Sequence, residues 1–159
     1  MTPRVFIEAK WVGNIEGAEE QLFGYDFRIR VPIAVLTDGK EWRFFHPTGE
    51  GTWEEHKIRE LDLVTGDSEE SAECLKRYLK YGSVRSDKAV NAIREDYNDL
   101  IRQRKIENGL PEAWRILVQE ADKRLLEVVA EKTEDVCGHR PDDEQVISFL
   151  KREELPLNI

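Results

Sequence analysis

Residues 17–31, GAEEQLFGYDFRIRV, carry two incompatible periodicities. Tyr25, Phe27, Ile29 and Val31 alternate strictly with Asp26, Arg28 and Arg30, which is the period of a half-buried strand. The opening GAEEQLFGYDF reads instead as a helix whose acids sit at its positive end. Residue physics leaves both readings open here, and the fold turns on which one holds.

On either side the signals are sharper. Residues 4–10, RVFIEAK, read as a strand, and VGNIEG after them supplies the glycines and asparagine of a loop. After Pro32, the run IAVLT, the turn DGK and the aromatic run EWRFF predict two adjacent antiparallel strands joined at Asp38-Gly39. WEEHKIRELDL is a further strand by composition, with a helix as the alternative. Past TGDSEES the character changes. Ser68 or Ser71 can cap a helix carrying Leu75, Tyr78 and Leu79, and YGSVRSD ends it and restarts the next. Residues 87–107 form a long amphipathic pattern. Pro111 suits the first turn of another helix through Trp114, Leu117 and LLEVVAEK, and CGHRPDDEQVISFLKR stops and restarts once more. The expected architecture is a small mixed α/β core in residues 1–66, then about four helices in residues 67–159 packed on that core or on a partner.

A chain of 159 residues and 18.6 kDa suits one domain with a helical appendage. With no apolar stretch near the roughly 18 residues of a membrane span and no leader pattern, it reads as cytoplasmic. Cys74 and Cys137 lack neighbouring Cys or His and read as reduced, packed thiols. His46, His56 and His139 stand without spaced partners and read as surface or turn residues. HPTGEG lacks the Lys-Ser/Thr of a phosphate-cradling loop. Trp42, Trp53, Phe44 and Phe45 near Arg43 could stack on bases, although alternating aromatics on a strand belong more often to a core. The net charge of −9 argues against a surface that clings everywhere to phosphate; residues 1–46 carry only −1 of it, so nucleic-acid contact is expected there.

Glu8-Ala9-Lys10 is the one spacing with chemistry in it. On a strand, positions i and i+2 share a face, so Glu8 and Lys10 can enter one cleft with the Ala9 carbonyl beside them. Mg²⁺ takes such hard oxygens, and an adjacent lysine can orient an attacking water as its ammonium, or deprotonate it as the free amine, for phosphodiester cleavage. The spacing alone says little: roughly one such pair arises by chance at this composition, and Glu55-His56-Lys57 repeats it.

Taken in order, IEAK, EQLFGY and VPIAVLTDGKEWRFF resemble the nuclease domain at the N-terminus of type I restriction enzyme R subunits and its short relatives, predicted type IV restriction endonucleases of the PD-(D/E)xK superfamily. The resemblance runs through residues 4–66. It implies a restriction-endonuclease-like mixed sheet, a helix over residues 17–30 and Mg²⁺-dependent DNA hydrolysis. Glu8 and Ala9 would then be metal ligands, Lys10 the activator of water, and Gln21 and Tyr25 polar supports of the site; the bland alternative is a Gln–Tyr bond that holds helix to sheet. It also implies partner subunits of a restriction-modification system. The family takes its first metal-binding aspartate from an earlier strand, whereas no acidic residue precedes Glu8 here. The chain is therefore expected to be an N-terminally incomplete or degenerate form, weak or inactive, with an exposed edge at residues 4–10 that pairs with a second copy. The alternative is a non-catalytic protein- or DNA-binding module of such a system.

Overall fold

The computed structural model describes residues 3–29, 31–48 and 51–152, and only the backbone of residues 25–29. It resolves the ambiguous stretch as helix. The strand β1 (Val5–Ala9) leads into α1 (Glu19–Ile29), then to β2 (Ile33–Thr37) and β3 (Glu41–Phe45). Leu22 in α1, with Ile15 and Ala18 of the segment that leads into the helix, is buried on the sheet. The crossover lets β1 lie parallel to β2, Glu8 opposite Leu36, whereas β2 and β3 are antiparallel, with Leu36 opposite Arg43.

The hairpin is built as its sequence predicts. Gly39 takes a positive φ of 88°, and the Asp38 carboxylate accepts from the amides of Lys40 and Glu41, at 3.0 and 2.7 Å. WEEHKIRELDL divides the two readings between them: a single helical turn, α2 (Trp53–His56), precedes β4 (Lys57–Asp62), which pairs antiparallel with β3. The sheet order is β1-β2-β3-β4. One face is covered by α1 over Ala34, Leu36 and Phe45. The other packs Ile33, Val35, Phe44 and Leu61 against α3 (Ser68–Leu79) and the start of α5 (Lys88–Gln119), through Cys74, Tyr78, Ala89, Val90 and Ile93. Each fully buried aliphatic or Phe side chain contributes about 1.5–3 kcal/mol.

Several helical boundaries differ from the sequence reading. Asp67, and neither Ser68 nor Ser71, caps α3 by accepting from the Glu70 amide; Ser71 is buried inside the helix. A short α4 (Tyr81–Arg85) intervenes before α5. Pro111 does not open a helix but lies within α5, and the break comes ten residues later, where Ala121 adopts a positive φ of 51° and Asp122 caps α6 (Lys123–Cys137). Gly138, at φ 74°, closes α6, and α7 (Asp143–Arg152) follows. The region after residue 66 thus holds five described helices. By compactness the chain divides at Met1–Arg102 and Gln103–Ile159, so α3, α4 and the first half of α5 belong with the sheet. The second unit has its own core of Leu126, Ala130, Val146 and Leu150, flanked by Trp114 and Val118. No helix among the described residues is long and apolar enough to cross a membrane.

Candidate functional site

Glu8, Leu36, Arg43 and Glu60 form one row across the sheet, on the face that α1 covers. Just past the end of β1, the Lys10 amide donates to the Thr37 carbonyl at 2.8 Å, which keeps the strand geometry for one more residue. Its side chain therefore returns to the face of Glu8. The Lys10 ammonium lies 2.9 Å from Glu8 Oε1 and donates to Gln21 Oε1 at 2.6 Å. Both charged side chains are about one-fifth exposed. Three of the four side chains expected to do chemistry are thus brought together from strand and helix. Tyr25 lies one turn beyond Gln21 in α1, but its side chain, like that of Arg28, is outside the described residues. Ala9 sits in register with Thr37 at the strand end.

Along the same face runs a charge network that the sequence did not announce. Arg43 is buried, and its guanidinium binds Glu19, which is 2% exposed, Glu41, and Glu16 at 2.7 Å, with Glu60 at 3.8 Å. Burial alone would lower the pKa of Arg43, but the bonds to Glu16, Glu41 and Glu19 raise it above its ordinary value. The network ties α1 and the loop before it to β3 and β4. Its only sequence signal is the i, i+2 spacing of Glu41 and Arg43, since Glu16 and Glu19 come from another element. Asp38 does similar work on the backbone: besides the hairpin amides it accepts from Gly13 at 2.9 Å, and so pins the loop that follows Lys10. The amides of Glu41 and then Gly13 hold its carboxyl below the usual range. With its oxygens engaged in this way, Asp38 is a structural carboxylate.

Two of the three histidines depart from expectation, whereas His139 is exposed as expected. His46 and His56 are 4% and 3% exposed, not surface or turn residues. Their rings complete an aromatic cluster: His56 stacks on Phe23 at 5.8 Å and on Tyr97 at 5.9 Å, and His46 meets Tyr97 edge-on at 5.5 Å. The Nδ1 of His46 lies 2.6 Å from the Pro32 carbonyl, while His56 Nδ1 is buried without a described hydrogen-bond partner. Phe44 and Phe45 are core residues, and Trp42 packs against the same core as Phe44. Cys74 is buried as expected; Cys137, at the end of α6, is exposed rather than packed.

No group of three or more His, Cys, Asp or Glu able to hold a metal ion occurs among the described residues. What stands at Lys10 is the Glu8 carboxylate and the Gln21 amide oxygen, both hard oxygen donors. Of these, the Glu8 carboxylate is an oxygen ligand of the kind Mg²⁺ takes together with waters and substrate phosphates, and the Gln21 oxygen is engaged by the Lys10 ammonium. No family model, curated protein or solved structure matches the chain.

Proposed function

We propose that the chain is a restriction-endonuclease-like domain that hydrolyses DNA phosphodiesters with Mg²⁺. The observation that supports it best is the convergence of Glu8 and Gln21 on the Lys10 ammonium, at 2.9 and 2.6 Å. In this reading Glu8 and the Ala9 carbonyl would hold the ion, which supplies charge neutralisation at the scissile phosphate. Lys10 as its ammonium orients the attacking water and stabilises the developing charge, Gln21 fixes the ammonium, and Tyr25 supports the site from the next helical turn. Glu8 is the one carboxylate within ion-pair distance of Lys10 among the described residues, so hydrolysis by this chain is expected to be slow. The test is plasmid nicking at high protein concentration with Mg²⁺ or Mn²⁺, alongside Lys10→Ala. Slow metal-dependent nicking that the substitution abolishes supports the reading; nicking that survives the substitution overturns it.

A second reading, a non-catalytic DNA- or protein-binding module of a restriction-modification system, draws on the same geometry. Lys10 is already neutralised by Glu8, and a closed ion pair is a stable end in itself. Absence of divalent-metal binding, together with absence of nicking, would favour this module. Under either reading the chain acts in the cytoplasm with other restriction subunits. It also pairs with a second copy along β1, the edge strand of the sheet, where Ile7 is 46% exposed. Light scattering is expected to give a dimer mass that Ile7→Lys converts to monomer; a monomer at every concentration rules the pairing out.

A further inference from the structure

Of the four tryptophans, three are packed: Trp42 against the core shared by the sheet and α3, Trp53 against the core between the sheet and α1, and Trp114 against the core of the second unit. Trp11 stands apart at 85% exposed, with Val12 beside it at 72%. Its backbone is nevertheless tied on both sides. The Lys10 amide donates to the Thr37 carbonyl at 2.8 Å, the Trp11 carbonyl accepts from the Asn14 amide at 2.9 Å, and the Gly13 amide donates to the Asp38 carboxylate at 2.9 Å. The ring is thus carried into water by a closed, anchored turn, one residue beyond the Lys10 ammonium.

The charge around the sheet decides where affinity for a nucleic acid has to come from. In a chain of net charge −9, Arg4, Lys40, Lys57, Arg59 and Arg77 each pair with a carboxylate, and Lys10 itself lies against Glu8. Few cations are left to displace counterions from a phosphate backbone, so that source of binding is small. Stacking of a base on an aromatic ring needs no positive charge, and every base has a face to offer. Lys10 and Trp11 hang from neighbouring Cα atoms about 3.8 Å apart, and one nucleotide advances a strand by about 3.4 Å. A phosphate met by Lys10 therefore brings an adjacent base within reach of Trp11. In closed duplex both faces of that base are covered by its neighbours, whereas a splayed or terminal base has one free. We propose that Trp11 is a substrate-binding residue of the Lys10 site that stacks on an unpaired base beside the scissile phosphate, so that the chain takes single strands and frayed duplex ends ahead of closed duplex. The proposal rests on the nuclease reading and adds to it the class of DNA and the residue that selects it.

The test uses the full chain with Mg²⁺, a labelled single strand of about 12 nucleotides, and the same sequence enclosed in a long duplex. Anisotropy reads the affinity and tryptophan emission reads the ring. Saturable binding of the single strand is expected, about fivefold or more tighter than that of the enclosed duplex, with quenching of the exposed tryptophan. Its salt dependence is expected to be shallow, a slope of log K against log salt no steeper than about −2. Trp11→Ala is expected to weaken the single strand about tenfold or more. Trp11→Phe is expected to keep most of the affinity while abolishing the quenching, and neither substitution to shift the melting temperature, since this ring belongs to no core. Equal affinity of the parent and Trp11→Ala for the single strand overturns the proposal and leaves the nuclease reading standing, whereas no binding of either DNA by the parent removes both. Tighter binding of the enclosed duplex also overturns it. So does tryptophan 11 emission already blue-shifted in the free protein, as burial between two copies would give, or blue-shifted by phosphatidylcholine vesicles without any response to DNA.

Discussion

Replacing Arg43 with Met isolates the strongest structural consequence of the site face. Arg43 is 6% exposed and its partner Glu19 is 2% exposed, so the substitution leaves a carboxylate in the core without a counter-charge. Breaking a buried pair from one side costs about 3–5 kcal/mol, a large share of the roughly 5–15 kcal/mol that holds a domain together. The contacts to Glu16, with its side chain 82% exposed, and to Glu60 add little, because exposed ion pairs contribute about 0–1 kcal/mol. At about 4–8 °C per kcal/mol for a domain near 100 residues, the melting temperature is expected to fall by roughly 12–40 °C. Urea and thermal unfolding of Arg43→Met, Glu19→Gln and the double variant give the answer. Removing both charges spares the orphaned carboxylate, so the double variant is expected to recover most of the loss. A loss in Arg43→Met below about 1 kcal/mol, or a double variant no more stable than it, would refute the view that this buried pair ties α1 to the sheet.

Two further outcomes follow from the buried titratable groups. Burial, chiefly, with Arg94 and His56 nearby, holds His46 below its ordinary pKa of 6.5 despite its bond to the Pro32 carbonyl. The folded state therefore binds fewer protons than the unfolded chain as pH falls below 6.5, so this contribution is full above that value and lost on acidification. The urea midpoint is expected to drop between pH 7.5 and 5.5, and an unchanged midpoint would contradict the burial of His46. Burial also pushes the Cys74 thiol up to about 11, while Cys137 is exposed. A thiol reagent at pH 8 is thus expected to modify one cysteine per chain quickly, mapping to residue 137, and fast modification of residue 74 would show that its packing is wrong.

The readability of the sequence followed the range of the interactions. The hairpin was legible because Asp38 and Gly39 carry their turn chemistry within three residues, and β1 because its apolar run is short and bounded. The helix α1 was not legible from periodicity. Tyr25, Phe27, Ile29 and Val31 mimic a strand, whereas the residues that pack this segment on the sheet, Ile15, Ala18 and Leu22, lie upstream of that alternation. Pro111 misled in the opposite sense. A proline is compatible with a helix start, and whether α5 continues through it is fixed by packing on either side rather than by the residue itself. His46 and His56 looked solitary because their neighbours, Phe23 and Tyr97, come from helices distant in sequence. The same holds at the site. Glu8 and Lys10 could be paired from strand geometry, and Gln21 from the resemblance, but Arg43 and its carboxylates gather from three separate segments and give no linear motif.

The most direct measurement is a Mn²⁺ titration of the chain and of Glu8→Ala, followed by electron paramagnetic resonance and repeated with a short DNA duplex present. Saturable binding that strengthens with DNA and disappears in Glu8→Ala is expected if Glu8 and substrate phosphates share the ion. Equal Mn²⁺ binding by the two proteins, or none by either even with DNA, would contradict a metal site at Glu8.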